Sequence, residues 1–266
     1  MKKISILGCG WLGLPLAKSL LEQGISVKGS TTSIEKISIL EKAGITPFQI
    51  SLFEDKIEGK MDLFLENSEI LIVDIPPKLR DDSKENFVGK IKNLIPFIEN
   101  STVKKVLFVS STSVFSDDNS EVTEASIPNP DTESGKQLLE AEQLLQSNKN
   151  FQTTIIRFGG LIGNDRHPIK FLAGRKNIEN PDAPINLIHQ DDCIGIIETI
   201  INLDLWNEIF NAVAPIHPTR KEYYTQKAME LNLPLLEFEE GKISTGKLIS
   251  SDKIETVLNY KFKNKL

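Results

Sequence analysis

The six residues Gly8-Cys9-Gly10-Trp11-Leu12-Gly13 constrain this chain more than any other stretch. They follow a short apolar run, Ile4-Ser5-Ile6-Leu7. They lead at once into a helical pattern with Leu12, Leu16 and Leu20 on one face, closed by Gly24. In a strand–turn–helix setting, G-x-G-x-x-G has a physical reading. The first glycine permits a tight turn, the second lets the backbone approach a pyrophosphate, and the third lets helix and strand pack closely. The helix N-terminus then offers unpaired N–H groups to the phosphates. Gly8, Gly10, Trp11, Leu12 and Gly13 are therefore candidate dinucleotide-binding residues. A tight turn with no ligand is the competing reading.

The rest of the chain continues the β–α alternation. Further strands are expected at 25–31, 46–50, 70–73, 106–109, 153–158 and 209–212. The continuous apolar run Ile70-Leu71-Ile72-Val73 is the mark of a parallel strand buried on both faces. Thr32-x-x-Glu35 reads as a capping box opening a helix through Lys42. Other helices are expected at about 83–99, 134–146, from Asp191 or Asp192 as cap to about 203, at 219–231 and at about 251–258. This pattern predicts an α/β, Rossmann-type fold: a doubly wound parallel sheet with a small C-terminal substrate lobe. Residues 1–163 and 186–213 would form the dinucleotide-binding domain. Residues 164–185 and 214–266 would form the lobe. Ligands then belong at the carboxyl ends of strands one, four and five. Those ends are the glycine turn, Asp74-Ile75-Pro76-Pro77 and Ser110-Ser111-Thr112-Ser113.

The net charge is −6 and no long basic run occurs, which argues against nucleic-acid or anionic-membrane partners. Two cysteines, Cys9 and Cys193, support neither a disulfide framework nor a metal site, and fit a reducing, cytoplasmic setting. Met1-Lys2-Lys3 and the apolar residues after it imitate a secretory or lipoprotein signal. The apolar stretch before Cys9 is too short for one and fits the first strand instead. No run of about 18 apolar residues predicts a membrane span.

Several landmarks stand in order: the glycine turn, Ser110-Ser111-Thr112-Ser113-Val114-Phe115, Arg157-Phe158-Gly159-Gly160-Leu161-Ile162-Gly163, Asn186-Leu187-Ile188-His189-Gln190-Asp191-Asp192 and Ile209-Phe210-Asn211. Together they resemble the extended short-chain dehydrogenase/reductases, which include nucleotide-sugar epimerases and dehydratases. The wording of residues 8–17 is similar to an atypical bacterial branch of that group. The resemblance implies an NAD(P) cofactor and a serine, a tyrosine and a lysine at the reacting centre. Ser111 matches the serine. Alignment on Gly135 and Glu140-Ala141-Glu142 puts Ser134 at the tyrosine and Leu138 at the lysine. Ser134 is a much poorer base than a phenol, and Leu138 cannot lower a neighbour's pKa. Tyr223-Tyr224-Thr225-Gln226-Lys227 does spell Tyr-x-x-x-Lys, but on a helix after the last sheet strands. It reads as a half-exposed aromatic beside a surface lysine.

The end of strand two, Gly29-Ser30-Thr31-Thr32, carries no acid for the ribose 2′-OH of NAD. Hydroxyls on Ser30, Thr31 and Thr32 with Lys36 nearby lean toward NADP over NAD. Asp74, Ile75, Pro76 and Ser110 complete the candidate cofactor contacts. Thr112, Ser113, Arg166 and Lys170 are candidate substrate contacts, the two cations for a phosphate or carboxylate. With a proton carrier lacking, Ser134, Glu133 and His167 are the groups to consider beside Ser111. His217 has no evident partner, and three scattered histidines give no metal-ligand spacing.

The sequence thus points first to an NAD(P)-dependent epimerase/dehydratase or reductase acting on a polar, nucleotide-sugar-like small molecule, as a monomer or homodimer. The alternative is a non-catalytic NADP(H)-binding sensor or scaffold. A third reading takes residues 8–17 as the start of a β-hydroxyacid dehydrogenase with an all-helical second domain. The strand patterns at 153–158 and 209–212 speak against it.

Overall fold

The computed structural model describes residues 2–77, 85–264 and 266. Seven parallel strands form one sheet. They are β1 (Lys3–Leu7), β2 (Ser26–Thr31), β3 (Thr46–Gln49), β4 (Ile70–Val73), β5 (Lys105–Ser111), β6 (Gln152–Phe158) and β7 (Ile209–Ala212). Their spatial order is β7-β6-β5-β4-β1-β2-β3. The chain leaves β1 toward β2 and β3, then returns to place β4 on the other side of β1. The direction of winding therefore reverses between β1 and β4, where an open α/β sheet leaves a crevice at its strand ends. Register pairs Ile6 with Ile72 and Val73 with Phe108.

Helices cover both faces. On one, Leu16 and Leu20 of α1 (Gly13–Glu22), Leu40 of α2 (Ile37–Lys42) and Ile196 and Ile200 of α5 (Gln190–Leu203) pack against Ile4, Ile6, Ile70 and Ile72. On the other, Ile91 and Leu94 of α3 (Phe87–Glu99) and Leu138, Ala141 and Leu145 of α4 (Glu133–Gln146) pack against Leu71, Val73, Val106 and Phe108. Alternate residues of β4 thus enter opposite cores, which is why all four are apolar. Each such Leu or Ile contributes about 1.5–3 kcal/mol by leaving water. β6 and β7 lie in the same sheet, which removes the reading with an all-helical second domain.

A third core, the lobe core, is separate from these two. Ile162, Ile169, Ile178 and Ile185 meet Tyr223, Tyr224 and Ala228 of α6 (Arg220–Glu230). The chain's last helix, Asp252–Val257, does not join it. Ile254, Leu258 and Tyr260 pack into the core of Leu16, Leu20 and Ile196, while Leu266 packs against the third core.

Local corrections have clear physical reasons. The Thr32–Glu35 capping box does not form. A single turn, Ile34–Lys36, precedes α2, and the Glu35 carboxylate takes the Ser33 hydroxyl instead. Neither Asp191 nor Asp192 caps α5. His189 does so through Nδ1, which accepts the Asp191 N–H at 3.2 Å. Asp192 is buried and accepts from Tyr260 Oη at 2.9 Å and from the Lys263 N–H at 2.8 Å, fastening the tail. The capping box that does form is Thr219 with Glu222, opening α6. The expected start of α3 near residue 83 lies outside the described residues. The described helix begins at Phe87, capped by the Asn86 side chain accepting the Gly89 N–H at 2.8 Å.

A candidate dinucleotide and substrate cleft

The three glycines of the turn do different work. Gly8 has φ +108°, a left-handed backbone, and a side chain there would enter the Asp74 carbonyl. Its N–H donates to Ser30 Oγ at 2.9 Å, and the Cys9 N–H donates to the Ser30 carbonyl at 2.7 Å. Ser30 thus acts first as the brace of the turn. A Cβ on Gly13 would meet the Gly8 carbonyl and lie 3.1 Å from Asp74 Oδ2. Around Gly10 a Cβ would meet nothing within 4 Å. Gly10 is exposed, so its smallness serves no contact within the chain. Cys9 is packing filler under the turn. Burial, reinforced by Asp74, pushes its thiol up to about 12, which keeps it unreactive.

A cleft of about 910 Å³ opens above the strand ends. It runs from Gly10, Trp11 and Leu12 past Asp74, Ile75 and Pro76 to Ser110, Ser111, Thr112, Ser113, Ser134 and Leu138. A smaller cavity of about 190 Å³ continues toward β2, where Ser30, Thr31, Thr32 and Lys36 line it with Ile50, Leu52 and Lys90. Gly10, Asp74, Ile75 and Pro76 border both. A nicotinamide dinucleotide fits this donor set. The space above Gly10 leaves room for a pyrophosphate at the N-terminus of α1, and apolar residues, hydroxyls and two lysines line the smaller cavity.

Asp74 sits at the junction. It is the first residue past β4, and its carboxylate takes the Gly13 N–H at the start of α1. Leu12 provides no side-chain cap and the first turn of α1 holds no acid, so Asp74 is the carboxyl group placed at the N-terminus of the helix. Burial pushes its pKa up to about 8, partly offset by the Gly13 N–H.

Ser111 ends β5, and its Oγ accepts the Ser113 N–H at 3.1 Å, leaving its O–H able to donate into the cleft. Ser110, at the cleft floor, is held by a partner beneath it. Its Oγ donates to Glu142 Oε1 at 2.6 Å, and Glu142 also holds Arg157 through Nη2–Oε2 at 2.6 Å. Arg157 is thus structural, stacked over Phe115 with its guanidinium carbon 5.0 Å from the ring centre. Ser134 and Leu138, one turn apart on α4, both line the cleft, and Leu138 is buried. The helix thus presents an apolar side chain to the cleft at Leu138.

Arg166 lines the cleft with its guanidinium 5.0 Å from the centre of the Trp11 ring. Trp11 Nε1 donates to Asp165 Oδ1 at 2.9 Å, and its carbonyl accepts Gln190 Nε2 at 2.5 Å. Trp11 therefore ties the glycine turn to the loop after β6. Lys170 faces away: exposed, it donates to the Asp165 carbonyl at 3.1 Å and is not among the residues lining the cleft. Nor is His167. Its Nδ1 accepts the Ile169 N–H at 3.2 Å and its Nε2 meets Tyr223 Oη at 2.8 Å, so it is a neutral ring donating to the phenol. Burial and the cations Lys227 and Lys170 hold its pKa below the usual value. Tyr223 is 4% exposed, so it is a lobe-core residue, correcting the half-exposed reading. Glu133 takes Gln137 Nε2 at 2.9 Å and is also not among the lining residues. His217 gains a partner, with Nδ1 2.8 Å from the Ile185 carbonyl.

Lys247 was missed entirely by sequence reasoning. It reaches the cleft because the short strand Leu248–Ile249 pairs in parallel with Glu121–Val122. Its Nζ donates to the Phe115 carbonyl at 2.6 Å and pairs with Asp117 at 3.0 Å. One further N–H remains for the cleft. No motif surrounds it in sequence.

No helix among the described residues is long and apolar enough to cross a membrane, and none of them form a metal-binding group. No family model matches the chain. Protein YeeZ of Escherichia coli strain K12 is 32% identical over 264 residues, covering 98% of this chain and 96% of the relative. UDP-glucuronic acid 4-epimerase from Bacillus cereus, solved in complex with NAD, superimposes with TM-score 0.81 at 16% identity, covering 99% of this chain and 94% of that one. A short-chain dehydrogenase/reductase superfamily protein from Agrobacterium tumefaciens with bound NAD gives TM-score 0.80 at 14% identity, with 99% and 93% covered.

Proposed function

The chain belongs to the family of Escherichia coli Protein YeeZ and has the extended short-chain dehydrogenase/reductase fold, and from that premise we propose that it binds a nicotinamide dinucleotide and handles a polar, nucleotide-sugar-like small molecule in the same cleft. The observation that carries this reading is the open space above Gly10, continuous with both cavities. Gly10, Trp11, Leu12 and Gly13 would hold the pyrophosphate, with Ile75 and Pro76 along its flank. Thr31, Thr32, Lys36 and Lys90 favour NADP, since no carboxylate lines the smaller cavity except Asp74 at its junction.

The bound dinucleotide supplies hydride transfer; the chain's own residues must supply the rest. Ser111 donates its O–H to a substrate oxygen. Thr112, Ser113 and Ser134 add hydroxyl contacts. Arg166 and Lys247 bring positive charge for a phosphate or carboxylate. Substrate turnover by a purified preparation, once a substrate is identified, should fall sharply in Ser111→Ala. An unchanged kcat/KM removes Ser111 from the reaction.

A second reading rests on Leu138. An apolar, buried side chain at that position suits a dinucleotide-binding sensor or scaffold that has no proton to move. It expects NADPH to bind without oxidation in any substrate screen. A reproducible substrate with ordinary turnover rejects it.

A further inference from the structure

Two anions compete for one helix end. The Asp74 carboxylate already takes the Gly13 N–H at the N-terminus of α1 and lines both cavities. A pyrophosphate seated on the same turn brings further negative charge to the same partial positive charge. Like charges on one turn disfavour each other, and the group that can give way is the carboxylate. We propose that Asp74 enters the dinucleotide complex as the neutral acid, so that in alkaline solution the cleft takes up a proton with its cofactor. The proton comes from solvent and sits on the Asp74 carboxyl, whose O–H then becomes a donor facing the cleft. This rests on the dinucleotide reading above.

The surroundings favour that state. Cys9 from the turn and Cys193 from α5 both sense the Asp74 charge and stay uncharged thiols. Lys36 and Lys90 line the smaller cavity, and Arg166 and Lys247 the larger, but none is paired with Asp74. Enclosure without a cationic partner raises the carboxyl to about 8 before any phosphate arrives.

The test is isothermal titration of NADP+ into the whole protein between pH 7.5 and 9.5, in buffers of differing ionisation enthalpy. With a free-state value of about 8, the expected Kd at pH 9.5 is about 25-fold weaker than at pH 7.5. Proton uptake should approach one per dinucleotide at pH 9. Asp74→Asn, isosteric and permanently neutral, should bind with a Kd that varies much less over this range and without that uptake. Binding by the wild-type protein that is independent of pH, with no uptake at pH 9, overturns the proposal and leaves the dinucleotide reading intact. The same pH slope in Asp74→Asn also overturns it. Absence of binding at every pH overturns both. Should the variant fail to fold, proton uptake by the wild-type protein decides alone.

Discussion

Glu142 and Arg157 form a two-point ion pair beneath the cleft floor, with Nη2–Oε2 at 2.6 Å and Nε–Oε1 at 3.0 Å, at 1% and 3% side-chain exposure. Ser110 Oγ completes the carboxylate's coordination at 2.6 Å. The pair joins α4 to β6 beside Ser110. Removing one partner leaves a buried charge alone, so Glu142→Gln should cost about 3–5 kcal/mol in urea unfolding. Replacing both residues by apolar side chains of similar volume should recover most of that loss. A single variant as stable as the wild type would show that water reaches the pair.

Gly10 and Gly13 should separate binding from folding. A Cβ on Gly13 collides with the Gly8 carbonyl and approaches Asp74, so Gly13→Ala should lower the melting temperature and abolish dinucleotide binding together. Gly10→Ala meets nothing in the chain, so stability should hold within about 0.5 kcal/mol. The same variant should lose about tenfold or more in dinucleotide affinity, since only Gly permits the close approach. Equal affinity in Gly10→Ala would move the pyrophosphate elsewhere.

Asp74 also makes a prediction for stability. Its folded value, about 8, exceeds the ordinary carboxyl value of 3.8. The folded state then holds a proton that the unfolded chain releases, so this residue destabilises the fold progressively as pH rises from about 4 to about 8. Asp74→Asn should flatten that part of the pH–stability curve and be the more stable protein at pH 9. Parallel curves for the two proteins would show an ordinary carboxyl.

His167 behaves oppositely. Its pKa is held down in the folded state, so unfolding takes up a proton below the ordinary value of 6.5. Lobe stability should fall as pH drops below that point. Tyr223→Phe, which removes the Nε2 partner, should cost about 0.5–1.5 kcal/mol. Hydrogen exchange in α6 at pH 7 and pH 5 reads both effects.

The glycine turn and its strand–helix setting were legible because their constraints are local. Turn, strand and helix at residues 3–22 fix one another through neighbours in sequence, and the apolar run 70–73 shows burial on both faces. The rest depends on contacts across the chain. Lys247 arrives through strand pairing with residues 121–122, and Tyr223 is buried in a core drawn from segments far apart in sequence, from Ile162 to Leu236. Leu138 drew notice in the sequence only through the resemblance, and the structure places it in the cleft wall. The failed capping at Thr32 and the cap supplied by His189 show the reverse limit. Short polar side chains choose among several nearby donors, and only the fold decides which they reach.

The most direct measurement is a titration of NADP+ and of NAD+ into the purified wild-type protein and Gly10→Ala at pH 7.5, with folding checked by circular dichroism. The expected result is saturation at one dinucleotide per chain, tighter for NADP+ than for NAD+, and a variant that folds normally but binds about tenfold or more weakly. Folded wild-type protein that saturates with neither dinucleotide contradicts the reading of this cleft.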